Sequence, residues 1–196
     1  MGARYCDILG YLPQNFGYYP DFSAHEFLLY MASLKGIQGR AAKHRAEELL
    51  QMVGLSDVSR QKIRSFSGGM KQRIVIAIAL ACEPKLLIAD EPTTALDSIT
   101  QRQIVDLLTS LVDESGASML FITHDFAVLN RATTRCYVLE CGRIAESGDT
   151  DALLDQPRTD AGHRLVRSAR ALSLHAGQDA GRESVRNPAQ KEVDHD

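Results

Sequence analysis

Apolar runs and helical patterns alternate through the middle of the chain. Residues 85–89 (KLLIA) and 118–123 (SMLFIT) are short and lack polar alternation, which is typical of strands buried on both faces of a sheet. Between them, Ser98 and Gln101 form a capping sequence that begins a helix. The apolar side of this helix is expected to comprise Ile104, Leu107, Leu108 and Leu111. Because helix and strand alternate, the pattern predicts a parallel sheet with helical crossovers.

The first part of the chain predicts one strand followed by helices. Residues 8–12 (ILGYL) have the pattern of a short strand. Ser23 and Glu26 match a capping box, in which each side chain bonds a free backbone N–H at the start of a helix. The apolar face of that helix is expected to comprise Phe27, Tyr30, Met31 and Leu34. Further helices are predicted over residues 40–53 and from residue 67 to about residue 82.

The last part of the chain predicts smaller elements and then a tail. Residues 135–147 have the pattern of a hairpin that turns near Cys141 and Gly142, and residues 151–155 predict a short helix. From Gly177 onward, two valines are the only large apolar residues, so we expect this tail to be disordered.

Charge and hydropathy exclude several classes of protein. The net charge of −3 provides no basic field, so nucleic acid is not expected as a partner. The longest apolar run, from Ile74 to Cys82, is far shorter than the roughly 20 residues of a membrane span. The first residues lack the charged-then-apolar layout of a signal peptide. We therefore expect a protein on the cytoplasmic side of the membrane.

An acidic pair follows the first of the two central strands. Asp90 and Glu91 lie at the carboxyl end of residues 85–89, where open α/β sheets bind their ligands. In enzymes that transfer phosphoryl groups, one such carboxylate holds Mg²⁺ and a neighbouring one orients the attacking water. We assign Asp90 to the metal and Glu91 to the water. A strand that ends in a polar turn gives the same local pattern, so both interpretations remain open at this point.

Two further sequences have the composition of a phosphate site. Ser67, Gly68 and Gly69 precede a helix, whose free N–H groups and dipole favour an anion. A plain flexible turn has the same composition. His124 follows the strand at residues 118–123, which predicts that it lies at the same edge of the sheet as Glu91 and can bond a γ-phosphate.

Together these sequences resemble the nucleotide-binding domain of ABC transporters. The resemblance rests on five motifs in the order and approximate spacing of the family: a Q-loop (GYLPQ, ending at Gln14), a signature motif (FSGGMKQR), a Walker B strand (LLIADEP), a D-loop (TALD) and a switch histidine (THD). It covers about residues 8–155. It implies an α/β fold with a P-loop NTPase-type parallel sheet and an α-helical subdomain.

The resemblance also implies roles for individual residues. Glu91, His124 and Gln14 would be catalytic, and Asp90 and Gln14 would serve the Mg²⁺ of ATP–Mg²⁺. Other residues would contact the ATP held by a second nucleotide-binding subunit in a head-to-tail dimer, or lie at that dimer interface: Ser67, Gly68, Gly69, Met70 and Asp97. Residues 15–54 would dock on the membrane-spanning subunits, which implies a peripheral location at the cytoplasmic face of the membrane.

One motif of the family does not occur in these 196 residues. The sequence has no G-x-x-x-x-G-K-[ST], the loop that cradles the phosphates of ATP. We therefore expect a partial sheet that lacks the Walker A strand, loop and helix, and a chain that is inactive alone. The alternatives are a remnant or split half that only binds a partner subunit, and a soluble ABC-type ATPase of DNA maintenance.

Cargo and segment boundaries also follow from the resemblance. Residues 66–155 are similar to peptide or nickel importer ATPases, in which Met70 replaces the usual glutamine, whereas residues 9–37 are similar to exporter-type ATPases. The resemblance implies five segments. Residues 1–14 would be the Q-loop strand and Q-loop, residues 15–84 a helical subdomain with the signature, and residues 85–155 the remaining ATPase core. Residues 156–175 would be an extension and residues 176–196 a disordered tail.

Overall fold

The computed structural model describes residues 8–168 of the chain. The tail for which we predicted disorder lies outside the described residues. The chain divides into two compact units between Thr133 and Thr134. Of the helices within the described range, none combines the length and the apolar composition that a membrane span requires.

The described part of the first unit is built on a parallel sheet of three strands. These are β1 (Leu9–Leu12), β2 (Leu86–Asp90) and β3 (Ser118–Ile122), in the order β1-β2-β3. The register places Leu12 beside Ala89, and Asp90 beside Ile122. The sequence prediction of a parallel α/β sheet is confirmed.

Within residues 8–133, five helices accompany this sheet. They are α1 (Ala24–Leu34), α2 (Gly39–Met52), α3 (Gly68–Leu80), α4 (Ser98–Ser115) and α5 (Phe126–Ala132), with short 3-10 turns at Ser56–Val58 and Ile63–Ser65. Helix α4 is the crossover between β2 and β3, and its Ile104, Val105 and Leu108 are fully buried. One continuous apolar core joins the helices to a single face of the sheet.

Helix α1 begins at the expected capping box but buries a different face. Ser23 Oγ accepts a bond from the Glu26 N–H, and the Glu26 carboxylate accepts one from the Ser23 N–H. Tyr30 and Leu34 are exposed, however, so our prediction for them was wrong. Small alanines let α1 pack closely, and the buried residues are Ala24, Phe27, Leu28 and Ala32.

Helix α4 is capped one residue earlier than we predicted. Its N-cap is Asp97, not Ser98, and the Asp97 carboxylate accepts bonds from the N–H groups of Ile99 and Thr100 at 3.1 and 3.0 Å. A carboxylate is a strong acceptor for the free N–H groups of a first turn, which explains its use here.

The prediction that β2 and β3 are buried on both faces was also wrong. One face is covered by helices and contains Leu12, Leu87 and Ala89, which are fully buried. The opposite face contains exposed apolar side chains, namely Leu9, Tyr11, Leu120 and Ile122. An unbroken apolar run does not distinguish burial on one face from burial on two, because both faces then have the same composition.

The second unit contains the predicted hairpin and short helix. Strands β4 (Arg135–Glu140) and β5 (Arg143–Asp149) pair antiparallel, and helix α6 (Thr150–Asp155) follows. The turn has positive φ at Cys141 and Gly142. A further helical segment covers residues 160–168. Its entry is held by Glu146 on β5, whose carboxylate accepts bonds from the backbone of Arg158 and Thr159.

Candidate functional site

Three polar side chains meet at the carboxyl ends of the three parallel strands. Gln14 follows β1, Glu91 follows β2 and His124 follows β3. Gln14 Nε2 donates to Glu91 Oε2 at 2.9 Å, and His124 Nδ1 lies 2.9 Å from Glu91 Oε1. Residues far apart in sequence therefore form one cluster, with the Glu91 carboxylate at its centre.

The backbone at Glu91 is held in an unusual conformation. Its φ is +46°, a region that costs a residue with a side chain about 1–3 kcal/mol. Three bonds support it: the Glu91 N–H donates to Ile122 O at 2.9 Å, the Thr94 N–H donates to Glu91 O at 3.2 Å, and Thr94 Oγ1 donates to Glu91 Oε2 at 2.8 Å. This turn is what directs the Glu91 side chain toward Gln14 and His124.

The hydrogen bonds to Glu91 also favour the ionised form of its side chain. The bond with His124, and next the bond from Thr94, lower the pKa of the Glu91 carboxyl below its usual value. Glu91 is therefore ionised at neutral pH and can accept a further hydrogen bond from water. Because a carboxylate only accepts, a neutral His124 must carry its proton on Nδ1, and its Nε2 can donate to a phosphate only when the ring is protonated.

Asp90 has a different bonding partner, on the exposed face of the sheet. It ends β2, and its Oδ2 accepts a bond from the Tyr11 hydroxyl at 3.1 Å. Among the described residues, no group of three or more His, Cys, Asp or Glu side chains could hold a metal by itself. Mg²⁺ usually binds through one or two carboxylates, with phosphate and water as the other ligands. Asp90 fits that single-carboxylate role.

The glycines that we predicted to bind phosphate lie at the start of α3, next to the start of α4. Ser67 Oγ accepts a bond from the Met70 N–H at 3.2 Å and so caps α3. A Cβ added to Gly69 would lie 2.5 Å from Thr100 Cγ2, so the two helices touch there. The described bonds of Ser67 and Asp97 are local caps and are separate from the Glu91 cluster.

Sequence reasoning missed four residues that shape the site. They are Tyr11, Thr93, Thr94 and Gln101. Gln101, on α4, donates from Nε2 to Asp125 Oδ2 at 2.8 Å and to Thr93 Oγ1 at 3.3 Å. A polar residue inside a helix has no local signal that would reveal such partners.

Fold and cluster together define an open parallel α/β protein with a carboxylate–amide–imidazole site at the carboxyl ends of its strands. Residues 4–94 match the family model described as ABC transporter. The chain is 45% identical over 135 residues to the oligopeptide transport ATP-binding protein AppD of Bacillus subtilis, a match that covers 67% of this chain and 40% of AppD. It is 48% identical over 125 residues to OppD of the same organism, covering 62% of this chain and 35% of OppD.

A solved ATP-binding cassette structure has a similar fold. The ATP-binding cassette MJ0796, a dimer in a post-hydrolysis state with ADP and Pi bound, superposes with a TM-score of 0.64 at 32% identity. The match covers 76% of this chain and 65% of that chain. In sequence and fold, the chain is therefore similar to the ATP-binding domains of ABC transporters, and it spans less than half the length of the curated relatives that it matches.

Proposed function

We propose that residues 8–155 form part of the ATP-hydrolysing subunit of a peptide-importing ABC transporter. The observation that carries this proposal is the Glu91 carboxyl group, bonded by Gln14, Thr94 and His124 where three parallel strands end. The names of the relatives AppD and OppD, both oligopeptide transport ATP-binding proteins, support a peptide as the cargo.

Glu91 is the residue to which we assign the chemistry. Its carboxylate accepts a hydrogen bond from the attacking water and so orients that water toward the terminal phosphate. His124 contacts the same carboxylate through Nδ1 and, when protonated, can donate from Nε2 to a phosphate oxygen. Gln14 uses its amide N–H on Glu91, which leaves the amide oxygen to accept from water around the metal.

The nucleotide would be ATP with Mg²⁺. When bound, Mg²⁺ neutralises charge on the phosphate oxygens. Asp90 is the carboxylate that we assign to it. The Tyr11 hydroxyl donates to Asp90 Oδ2, which leaves Oδ1 to face the metal or its water shell.

Two surfaces would serve protein partners. The start of α3 (Ser67, Gly68, Gly69 and Met70) and Asp97 would face the ATP site of a second nucleotide-binding subunit. Residues 15–54 would contact the membrane-spanning subunits at the cytoplasmic face. The exposure of Tyr18, Tyr19 and Tyr30 in this segment supports the second assignment, because aromatic side chains are enriched at protein interfaces.

The test distinguishes the proposed role of Glu91 from that of Asp90. Residues 8–155 replace the matching region of a complete relative such as AppD, and nucleotide binding and hydrolysis are measured. We expect Glu91→Gln to keep ATP binding and to slow hydrolysis by about 10²–10⁴-fold, because only the water-orienting group is lost. Asp90→Asn should instead weaken Mg²⁺-dependent binding. Glu47→Gln, on the exposed side of α2, is the matched control and should change neither.

Two results would contradict the proposal. Equal loss of binding in both variants would remove the division of roles, and unchanged hydrolysis in Glu91→Gln would remove Glu91 from the chemistry. The 196 residues alone have no phosphate-binding loop of the Walker A type, so we expect negligible ATP–Mg²⁺ binding and no turnover from them.

A further inference from the structure

Gln101 joins the two loops that carry Glu91 and His124. It lies in the first turn of α4, and its Nε2 donates to Thr93 Oγ1 at 3.3 Å and to Asp125 Oδ2 at 2.8 Å. Thr93 is two residues after Glu91, and Asp125 is the residue after His124. A single amide nitrogen therefore spans the gap between the loop after β2 and the loop after β3.

Both partners of Gln101 are themselves held in place. The Thr93 side chain is buried, with an exposed fraction of 4%. The Asp125 N–H donates to Thr123 Oγ1 at 2.9 Å, which shapes the short segment containing His124. His124 itself is largely exposed, with a side-chain exposure of 74%, so packing alone does little to fix its ring. The bond from Gln101 to Asp125, the residue after His124, restrains the chain next to this exposed ring.

We propose that Gln101 is a positioning residue that keeps His124 Nδ1 within hydrogen-bond distance of Glu91. An amide suits this place because one –NH₂ group carries two hydrogens and can serve Thr93 and Asp125 together. A glutamate of the same size would repel Asp125, and a leucine would donate to neither partner. The consequence for ATP hydrolysis rests on the function proposed above, whereas the geometry of His124 does not.

The test reads the tautomer of His124 and requires neither nucleotide nor turnover. The full chain is labelled with ¹⁵N-histidine, and the ring nitrogens are observed at a pH where the imidazole is neutral; His124→Gln assigns the signal. In the wild type, the Glu91 carboxylate should hold the proton on Nδ1. In Gln101→Leu, we expect loss of this Nδ1–H signal in favour of the Nε2–H form that free imidazole prefers.

Controls separate positioning from stability. Gln103 lies on the same helix and is exposed, so Gln103→Leu is the matched control and should leave the His124 signal unchanged. Gln101→Glu keeps the size of the side chain and should give the same loss of Nδ1–H as Gln101→Leu, so it decides the question if the leucine variant does not fold. Melting temperatures of all variants are measured in parallel.

The outcomes are distinct. An unchanged His124 tautomer in a folded Gln101 variant would overturn the proposal, and so would an equal change in Gln103→Leu. If ATP hydrolysis by the joined domain does not depend on Glu91 but the tautomer does depend on Gln101, the proposed function fails while the positioning role stands.

Discussion

At the scale of single residues, Gly10 in β1 lies in close contact with helix α3. A Cβ added to it would lie 2.6 Å from Ala79 O and 2.9 Å from Pro84 Cγ. The first of these atoms belongs to the backbone of α3 and cannot turn away as a side chain does. Glycine at this position therefore allows the close approach between β1, which leads to Gln14, and helix α3.

We expect Gly10→Ala to lower the free energy of unfolding by about 1–3 kcal/mol, the usual cost of overpacking. The measurement is chemical or thermal unfolding of the full chain. Gly17→Ala is the matched control, because no atom lies within 4 Å of a Cβ added there, and its effect should stay within about 0.5 kcal/mol. Equal stability of the two variants would mean that β1 and α3 are not in this close contact.

At the scale of elements, the starts of α3 and α4 are fitted to each other. The hydroxyl of Thr100 donates to Asp97 Oδ2 at 2.7 Å, which fixes its rotamer. The methyl of Thr100 then occupies the space above Gly69. Asp97 and Gly69 are thus placed relative to each other by Thr100.

Because of this contact, we expect Gly69→Ala to change stability in the direction opposite to that usual for a glycine-to-alanine change in a helix. Alanine normally favours a helix over glycine by about 1 kcal/mol, yet Gly69→Ala should destabilise the chain by about 1–3 kcal/mol because its Cβ meets Thr100 Cγ2. Thr100→Ser removes that methyl and keeps the hydroxyl. In the Thr100→Ser background, Gly69→Ala should therefore become neutral or stabilising.

A double-mutant cycle of unfolding free energies measures this coupling. Gly68→Ala is the control, since a Cβ there would meet only the movable end of the Leu96 side chain, at 3.1 Å. Additive effects of Gly69→Ala and Thr100→Ser would show that the two helices do not touch at this point.

At the scale of the whole chain, the uncovered face of the sheet has the largest consequence. Leu120 and Ile122 are 48% and 44% exposed on β3, and Tyr11 is 52% exposed on β1. Adjacent apolar side chains on one sheet face form a patch of the kind that associates with other apolar surfaces.

We expect the folded chain to bind an apolar-surface dye below its melting temperature. Leu120→Thr combined with Ile122→Thr should reduce that binding without lowering the melting temperature, because threonine favours strands and the leucine and isoleucine are not in the core. Leu34→Thr, which removes an exposed leucine from α1, is the control and should leave dye binding nearly unchanged. If the double variant binds as much dye as the wild type, the patch is covered in solution.

The sequence by itself determined the elements and the residues that follow them. The parallel order, the start of α1 at Ser23 and the places of Gln14, Asp90, Glu91 and His124 could be predicted, because periodicity and capping act over a few neighbouring residues. Their motifs also lie at the ends of strands, and the ends of parallel strands meet at one edge.

Only the tertiary structure decided which side chains bond each other. The Tyr11–Asp90 bond, the Gln101 link to Asp125 and the fit of Gly69 against Thr100 each join elements that are far apart in sequence or on different helices. The same holds for the buried side of α1 and for the sheet that is covered on a single face. Each depends on distances between packed elements. The local pattern of apolar and polar residues contains no information on such distances.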